Sequence, residues 1–360
     1  MDFVPSPQDL EHIVVHAEDV LRELKQERVF ITGGTGFFGK WMLAGLTHAN
    51  ARLDLGLELT VLVRQPEAFH RANPALAGDP AIRWVAGDVR DFAKPAGQFG
   101  HVIHAAANTL GADSQAVLFS TIVDGTRRVA DFARQAKVGN FLFVSSGAVY
   151  GRQPAEMERV GEGFSGAPDC TAIDSTYGEA KRAAEVACAI AASDGGVKPK
   201  IARCFAFLGP GLPLDAHFAA GNFLRDALRG NEIEVASDGT SMRSYLYPAD
   251  LVCWLMKIMM HGDALRPYNV GSDVAVTVAQ LAATIGTHAH VGSRVKKSPG
   301  PSPGPRYVPD VSRARTELGL EVRIDLDDAI VRTLAWYRHL ARPALTTNGT
   351  DRRGLAQLHS

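Results

Sequence analysis

Val29-Phe30-Ile31-Thr32-Gly33-Gly34-Thr35-Gly36-Phe37-Phe38-Gly39-Lys40 joins a short apolar run to a helix through glycines at every third position. Val29 to Ile31 reads as a buried strand. From Lys40 onward, Trp41, Met42, Leu43, Ala44 and Leu46 continue with helical apolar spacing. Gly33 permits a sharp turn, Gly36 lets a pyrophosphate approach the backbone, and Gly39 lets helix pack on strand. Amides of the first helical turn are then free to bind phosphate. A glycine run alone is weak, but strand before and helix after make it a dinucleotide-binding signature. Gly33, Thr35, Gly36, Phe37, Phe38 and Gly39 are therefore candidate cofactor contacts.

Working outward, strands are expected at 57–63, 82–85, 102–106, 141–146 and 201–206, with long helices at 114–138 and 175–192. Strands alternating with helices predict a parallel, doubly wound α/β sheet of the Rossmann type. A helix over 6–28 precedes it, with Ser6 as cap and Pro7 at the first helical position. Beyond Gly209-Pro210-Gly211 the pattern changes. Helical patches at 217–229, 248–261, 277–287 and 326–340 alternate with short strands at 233–235 and 268–270. This predicts a smaller α/β lobe closing over the strand ends, where open α/β sheets bind ligands. The expected divisions are an N-terminal helical extension (1–26), a nucleotide-binding domain (27–208), a substrate lobe (209–342) whose strands can interleave with the first sheet, and a flexible tail (343–360). Residues 298–305 form a proline/glycine loop.

Composition narrows the function. Of 360 residues, 46% are hydrophobic and 21% charged, enough for a sizeable core. A net charge of -1 argues against a nucleic-acid or acidic-membrane binder. Cys170, Cys188, Cys204 and Cys253 lack CxxC spacing, which suits reduced thiols in the cytoplasm. No basic segment leads into an apolar one at the N-terminus, and no run of about 18 apolar residues spans a bilayer. A cytoplasmic location is expected. His288 and His290 lie two apart without an evident third ligand, so no metal site is expected.

Tyr177 and Lys181 stand one helical turn apart on one face. A nearby ammonium lowers a phenol's pKa toward its working range, and Tyr177 can then exchange a proton with a hydroxyl or carbonyl. Ser146, ending the strand at 141–146, can bond the same oxygen. Elsewhere such a pair is as often a solvated surface feature. The glycine turn upstream and Ser145-Ser146 at a strand end favour catalysis.

With these residues in place, the sequence resembles the extended short-chain dehydrogenase/reductases, within the NAD(P)-dependent sugar epimerase/dehydratase family. The resemblance covers about residues 27–340. Its carriers are the glycine turn, Gly87-Asp88-Val89, His104-Ala105-Ala106-Ala107, Ser145 to Gly151, Tyr177 with Lys181, and Arg203 to Pro210. Asn222-Phe223, Arg243 to Asp250, Tyr268 to Gly271 and Arg306 to Asp310 follow in order. It implies that Asp88 and Val89 meet the adenine end of NAD(P) and that His104, Ala105 and Ala106 line the cofactor. It further implies that Ser146, Tyr177 and Lys181 are catalytic, that Lys181 also holds the nicotinamide ribose, and that Asn222, Arg243 and Arg306 meet a nucleotide-sugar diphosphate. Guanidinium forks suit that last role.

Departures from the family pattern narrow the reaction. Its 4,6-dehydratases carry an Asp-Glu pair after the strand-end Ser/Thr, where this chain has Gly147 and Ala148. Small residues there resemble 4-epimerases and 4-keto reductases. A dehydratase would need an acid and base from elsewhere, such as Glu162, Asp169 or Asp174. A non-catalytic scaffold or nucleic-acid-associated member is a rival that the retained Tyr177 and Lys181 disfavour. Val63-Arg64-Gln65 has no acid to accept ribose hydroxyls, and Arg64 can pair with a 2'-phosphate or stack on adenine, which favours NADP over NAD. The helices at 114–138 and 175–192 are apolar on more than one side. Family members pair them across a two-fold axis, so a homodimer is expected.

Overall fold

Strand β1 (Arg28–Thr32) follows helix α1 (Pro7–Arg22) and leads through the glycine turn into α2 (Phe37–Leu53). The computed structural model describes residues 2–107, 114–193, 195–216, 218–298 and 304–341. The chain continues through β2 (Glu58–Val63), α3 (Pro66–Ala72), α4 (Pro74–Ala77), β3 (Ile82–Ala86), β4 (His101–His104), α5 (Gln115–Gln135), β5 (Asn140–Ser146), α6 (Thr176–Ser193) and β6 (Pro199–Cys204). Then come α7 (Ala219–Leu228), β7 (Ile233–Val235), β8 (Met242–Arg243), α8 (Pro248–His261) and β9 (Pro267–Val270). The last elements are β10 (Val276–Thr277), α9 (Val278–Ala289), β11 (Ser293–Val295), β12 (Arg306–Tyr307), α10 (Ser312–Leu318) and α11 (Leu326–Ala341).

Seven parallel strands form the central sheet in the order β3-β2-β1-β4-β5-β6-β9. The order reverses between β1 and β4, which opens a crevice at the carboxyl ends of those strands. Burial on both faces explains why β1 reads as an unbroken apolar run. Val29 and Ile31 join one core with α1, α2 and α8, while Phe30 joins the other, stacked on Phe92 and edge-on to Phe132. The expected Rossmann-type architecture is what the chain forms. Strand β9 comes from the C-terminal half and returns to the first sheet, so the two halves interleave across position 208.

The smaller lobe holds the sheets β10-β8-β12 and β11-β7, with α7 and α9 packed on β7. Helix α1 stops at Arg22, short of the expected 28, and Gln26 turns the chain with φ of 61°. Ser6 caps it by accepting the Asp9 amide at 3.1 Å. The tail at 343–360 and residues 299–303 of the proline/glycine loop lie outside the described residues. No helix among the described residues is long and apolar enough to cross a membrane.

Candidate active site

The glycine turn has the geometry of a phosphate cradle. Gly33 takes φ of 77°, and a Cβ there would lie 2.5 Å from the Ala105 carbonyl. A Cβ on Gly39 would lie 2.2 Å from the Gly33 oxygen, so helix and turn touch only because both are glycine. Gly36 differs: its nearest neighbour would be the Gly33 oxygen at 3.4 Å, and its outer side is open. As the N-cap of α2 it offers no side-chain cap, and the first intrahelical bond is Lys40 N–H to Gly36. The Phe37, Phe38 and Gly39 amides therefore lack intrahelical acceptors. A dinucleotide pyrophosphate fits this donor set, with Thr35 on the turn and Ala105 and Ala106 half-buried beyond β4.

At the ends of β2 and β3, Asp88 grips Arg90 through two bonds, from Nε at 2.8 Å and Nη2 at 3.0 Å. Those bonds hold the Asp88 carboxyl below its usual range, and the charge of exposed Arg64 adds to the effect. Two guanidinium groups thus flank Asp88. Arg64 was legible in the sequence, whereas Arg90 was missed; the signal was a second arginine two residues past Asp88.

Two residues expected to line the cofactor are turned inward. Val89 is buried beside Phe92, and Gly125 faces it so closely that a Cβ would fall 2.8 Å from its Cγ1. His104 is 1% exposed, bonded through Nδ1 to Thr32 at 2.6 Å and through Nε2 to Thr126 at 2.9 Å. Burial drives its pKa down to about 3, which keeps the ring neutral. Both side chains belong to the core, and what β4 offers the crevice is the backbone and methyl groups of Ala105 and Ala106.

The structure brings Ser146, Tyr177 and Lys181 together. Ser146 ends β5, and its Oγ accepts the Ala148 amide at 3.1 Å. Tyr177, near the start of α6, faces Ser146; burial pushes its phenol up to about 12, and the nearby serine hydroxyl pulls it back. Lys181 is 2% exposed, donates to the Val144 carbonyl at 2.7 Å, and sits 4.8 Å from the Phe143 ring centre. Burial lowers its pKa to about 8. The expected lowering of the phenol by Lys181 is not seen: loss of water around the tyrosine dominates, and the groups that act on it further are Ser146 and Cys204.

A buried network underlies these three. Ser145 donates to Glu185 at 2.6 Å, and Glu185 takes a two-pronged pair from Arg203 at 3.0 and 2.6 Å. Arg203 lies 4.8 Å from the Tyr150 ring, whose hydroxyl donates to Asn269 at 2.8 Å. It ties β5, α6, β6 and β9 together beneath the catalytic face. Sequence reading passed over Glu185, one turn beyond Lys181.

Of the three residues assigned to a diphosphate, two share the small sheet. Arg243 on β8 is the register partner of Tyr307, and Arg306 that of Met242. Arg243 donates to its own strand at Met242 O (2.8 Å) and to Pro305 O (3.2 Å). The buried Nε of Arg306 finds no hydrogen-bond partner among the described residues. Asn222 is on a different element, α7, with its amide oxygen accepting from Arg225 at 3.2 Å.

The doubly wound sheet thus carries a glycine turn at its switch point, with Ser146, Tyr177 and Lys181 gathered at the end of β5 and the start of α6. The chain belongs to the NAD dependent epimerase/dehydratase family, whose model matches residues 29–271. It is 27% identical over 308 residues to UDP-glucuronic acid decarboxylase 6 of Arabidopsis thaliana, spanning 84% of this chain and 86% of that protein. It is 26% identical over 327 residues to a dTDP-glucose 4,6-dehydratase of Streptomyces niveus, spanning 86% and 93%. The UDP-glucose 4-epimerase of Thermotoga maritima shares the fold with a TM-score of 0.72 at 21% identity, over 88% of this chain and 100% of that one. A dTDP-glucose 4,6-dehydratase double mutant from Streptomyces venezuelae, solved with NAD, gives 0.71 at 25% identity, over 86% and 97%.

Proposed function

We propose that the protein is a nucleotide-sugar oxidoreductase acting at C4 of the hexose, as a 4-epimerase or a 4-keto reductase. The observation that carries this reading is position 147. A Cβ there would lie 2.7 Å from the Phe205 ring, so the place an acid would take beside Ser146 is filled by an aromatic side chain. Elimination of water across C5–C6 needs a base and an acid within hydrogen-bond reach. Gly147 and Ala148 supply neither. The relocated candidates are largely committed: Glu162 accepts the Asn269 amide at 2.9 Å, and Asp169 is bonded to Thr171 at 2.7 and 2.9 Å.

Chemistry at C4 needs less. A bound nicotinamide supplies or takes the hydride. Ser146 steadies O4, Tyr177 holds the proton that O4 gains or loses, and the Lys181 ammonium secures the cofactor ribose. With its pKa near 12, Tyr177 carries its proton at neutral pH. That state suits donation of the proton to a 4-keto oxygen. Arg243, Arg306 and Asn222 bind the substrate diphosphate. The cofactor is NAD(P), and the Arg64 and Arg90 pair favours the 2'-phosphate of NADP.

The test is a panel of UDP- and dTDP-linked hexoses, uronic acids and 4-keto-6-deoxyhexoses in deuterium oxide, with products read by mass. C4 inversion or ketone reduction is expected, with no deuterium at C5. Loss of water with deuterium at C5 would put the dehydratase first. In the same assays Arg64→Ala and Arg90→Ala should each weaken NADP about tenfold, with NAD little changed, because a charge-assisted fork is lost. Equal weakening of both cofactors would mean that these arginines do not read the 2'-phosphate.

A homodimer through α5 and α6 is part of this proposal. Phe119, Val186 and Ile190 on those helices are 40%, 59% and 57% exposed. An isologous contact would bury the same patch on both subunits. Light scattering at micromolar concentration should give a dimer, and Val186→Arg with Ile190→Arg a monomer. A monomeric unmutated protein would refute the interface.

A further inference from the structure

We propose that Tyr307 is a positioning residue for Ser146, a phenol brought from the small β10-β8-β12 sheet that fixes the serine hydroxyl at the catalytic centre. The inference rests on the reading of Ser146 and Tyr177 as that centre. Tyr307 ends β12, 161 residues from Ser146 in sequence, yet its hydroxyl stands 3.5 Å from the serine Oγ. Ser146 already accepts the Ala148 amide, which leaves its own proton and a lone pair to be directed. At 3.5 Å the contact is looser than an ordinary O–H···O bond. Catalytic hydrogen bonds are often long until substrate is seated.

The phenol is held in place by a chain of contacts that begins at Gly147. Because residue 147 has no side chain, the Phe205 ring occupies that space. Tyr307 packs on Phe205 with ring centres 4.7 Å apart. Arg243, the register partner of Tyr307, puts its guanidinium 5.8 Å from the tyrosine ring. The strand pair proposed to grip the diphosphate is therefore the one that sets the phenol. Burial keeps Tyr307 protonated, so it acts as a neutral hydroxyl rather than a base. Gly147, Phe205, Tyr307 and Ser146 thus form one continuous path from the small sheet to the reacting oxygen.

Removing the hydroxyl while keeping the ring isolates the effect. Tyr307→Phe should lower kcat about tenfold, the worth of one hydrogen bond, with KM, cofactor affinity and melting temperature nearly unchanged. In the double variant Ser146→Ala, Tyr307→Phe, turnover should match that of Ser146→Ala alone, because a hydroxyl without its partner has nothing to position. Wild-type kcat in Tyr307→Phe would reduce the residue to a packing role. Additive losses would mean that it does not act through Ser146. An independent readout needs no turnover. In protein carrying ring-labelled tyrosine, Ser146→Ala should shift the Tyr307 resonance, assigned by its loss in Tyr307→Phe. An unmoved resonance would overturn the contact. An unmutated protein that converts none of the panel would instead refute the C4 reading.

Discussion

Tyr177→Phe is expected to lower turnover by about 10²-fold or more while cofactor affinity stays within about twofold. The substitution keeps the ring and removes the phenolic proton proposed to pass to or from O4. Burial holds that phenol at about 12, so the proton is present at neutral pH and is lost with the hydroxyl. Lys181 is unaffected, because its ammonium is anchored by the Val144 carbonyl rather than by Tyr177. The glycine turn is unaffected for the same reason: its amides belong to α2. Steady-state kinetics beside a fluorescence titration of the cofactor separates the two effects. Near-normal turnover would sink the mechanism, and a collapse of cofactor binding would show that the ring edge, not the proton, was the issue.

Elements that obey one strong rule were legible in the sequence. Helix α8 matches its expected span at both ends, since Pro248 opens it and Gly262 follows it. The central strands show as apolar runs because both faces are buried. Strands β8, β10 and β12 have two residues each, too short to show a period, and β12 carries Tyr307. Resemblance named residues around the crevice at the switch point but not which way each side chain turns. His104 and Val89 sit at the right level of the sheet and point into the core. Arg90 escaped notice because its role depends on a chelate with Asp88 that spacing alone does not announce. Gly147 was read chemically, as a missing acid; the structure adds the steric reason, an aromatic ring already in the space.

The largest expected loss of stability lies far from the chemistry, at Asp9 of α1. Its side chain is 1% exposed. One oxygen accepts the Tyr247 hydroxyl at 2.9 Å, and the other takes Arg332 Nη1 at 2.8 Å. His12, one turn on, meets Asp250 at 2.7 Å, and Asp250 also accepts the Arg323 and Ile324 amides at 2.9 and 3.0 Å. Ahead of the helix, Phe3 packs between Trp41 of α2 and Trp336 of α11. The extension therefore ties the first helix of the nucleotide-binding half to α8 and α11. Asp9→Ala would leave the Tyr247 hydroxyl without that acceptor and Arg332 with Asp328 alone at 2.7 Å. Breaking a buried pair costs about 3–5 kcal/mol, and the surviving Asp328 contact sets the expectation at about 3. Glu11→Ala, on the same helix but half-exposed with contacts near 3.6 Å, should change stability by no more than about 0.5 kcal/mol. Asp9→Asn keeps one acceptor oxygen for Tyr247 but sets an NH2 donor against the Arg332 guanidinium, so it should cost more than Glu11→Ala and no more than Asp9→Ala. Urea midpoints at constant m-value rank the three. If Asp9→Ala is no worse than Glu11→Ala, the extension is a surface appendage. If Asn equals Ala, the ion pair with Arg332 and not the Tyr247 bond is what holds the helix down.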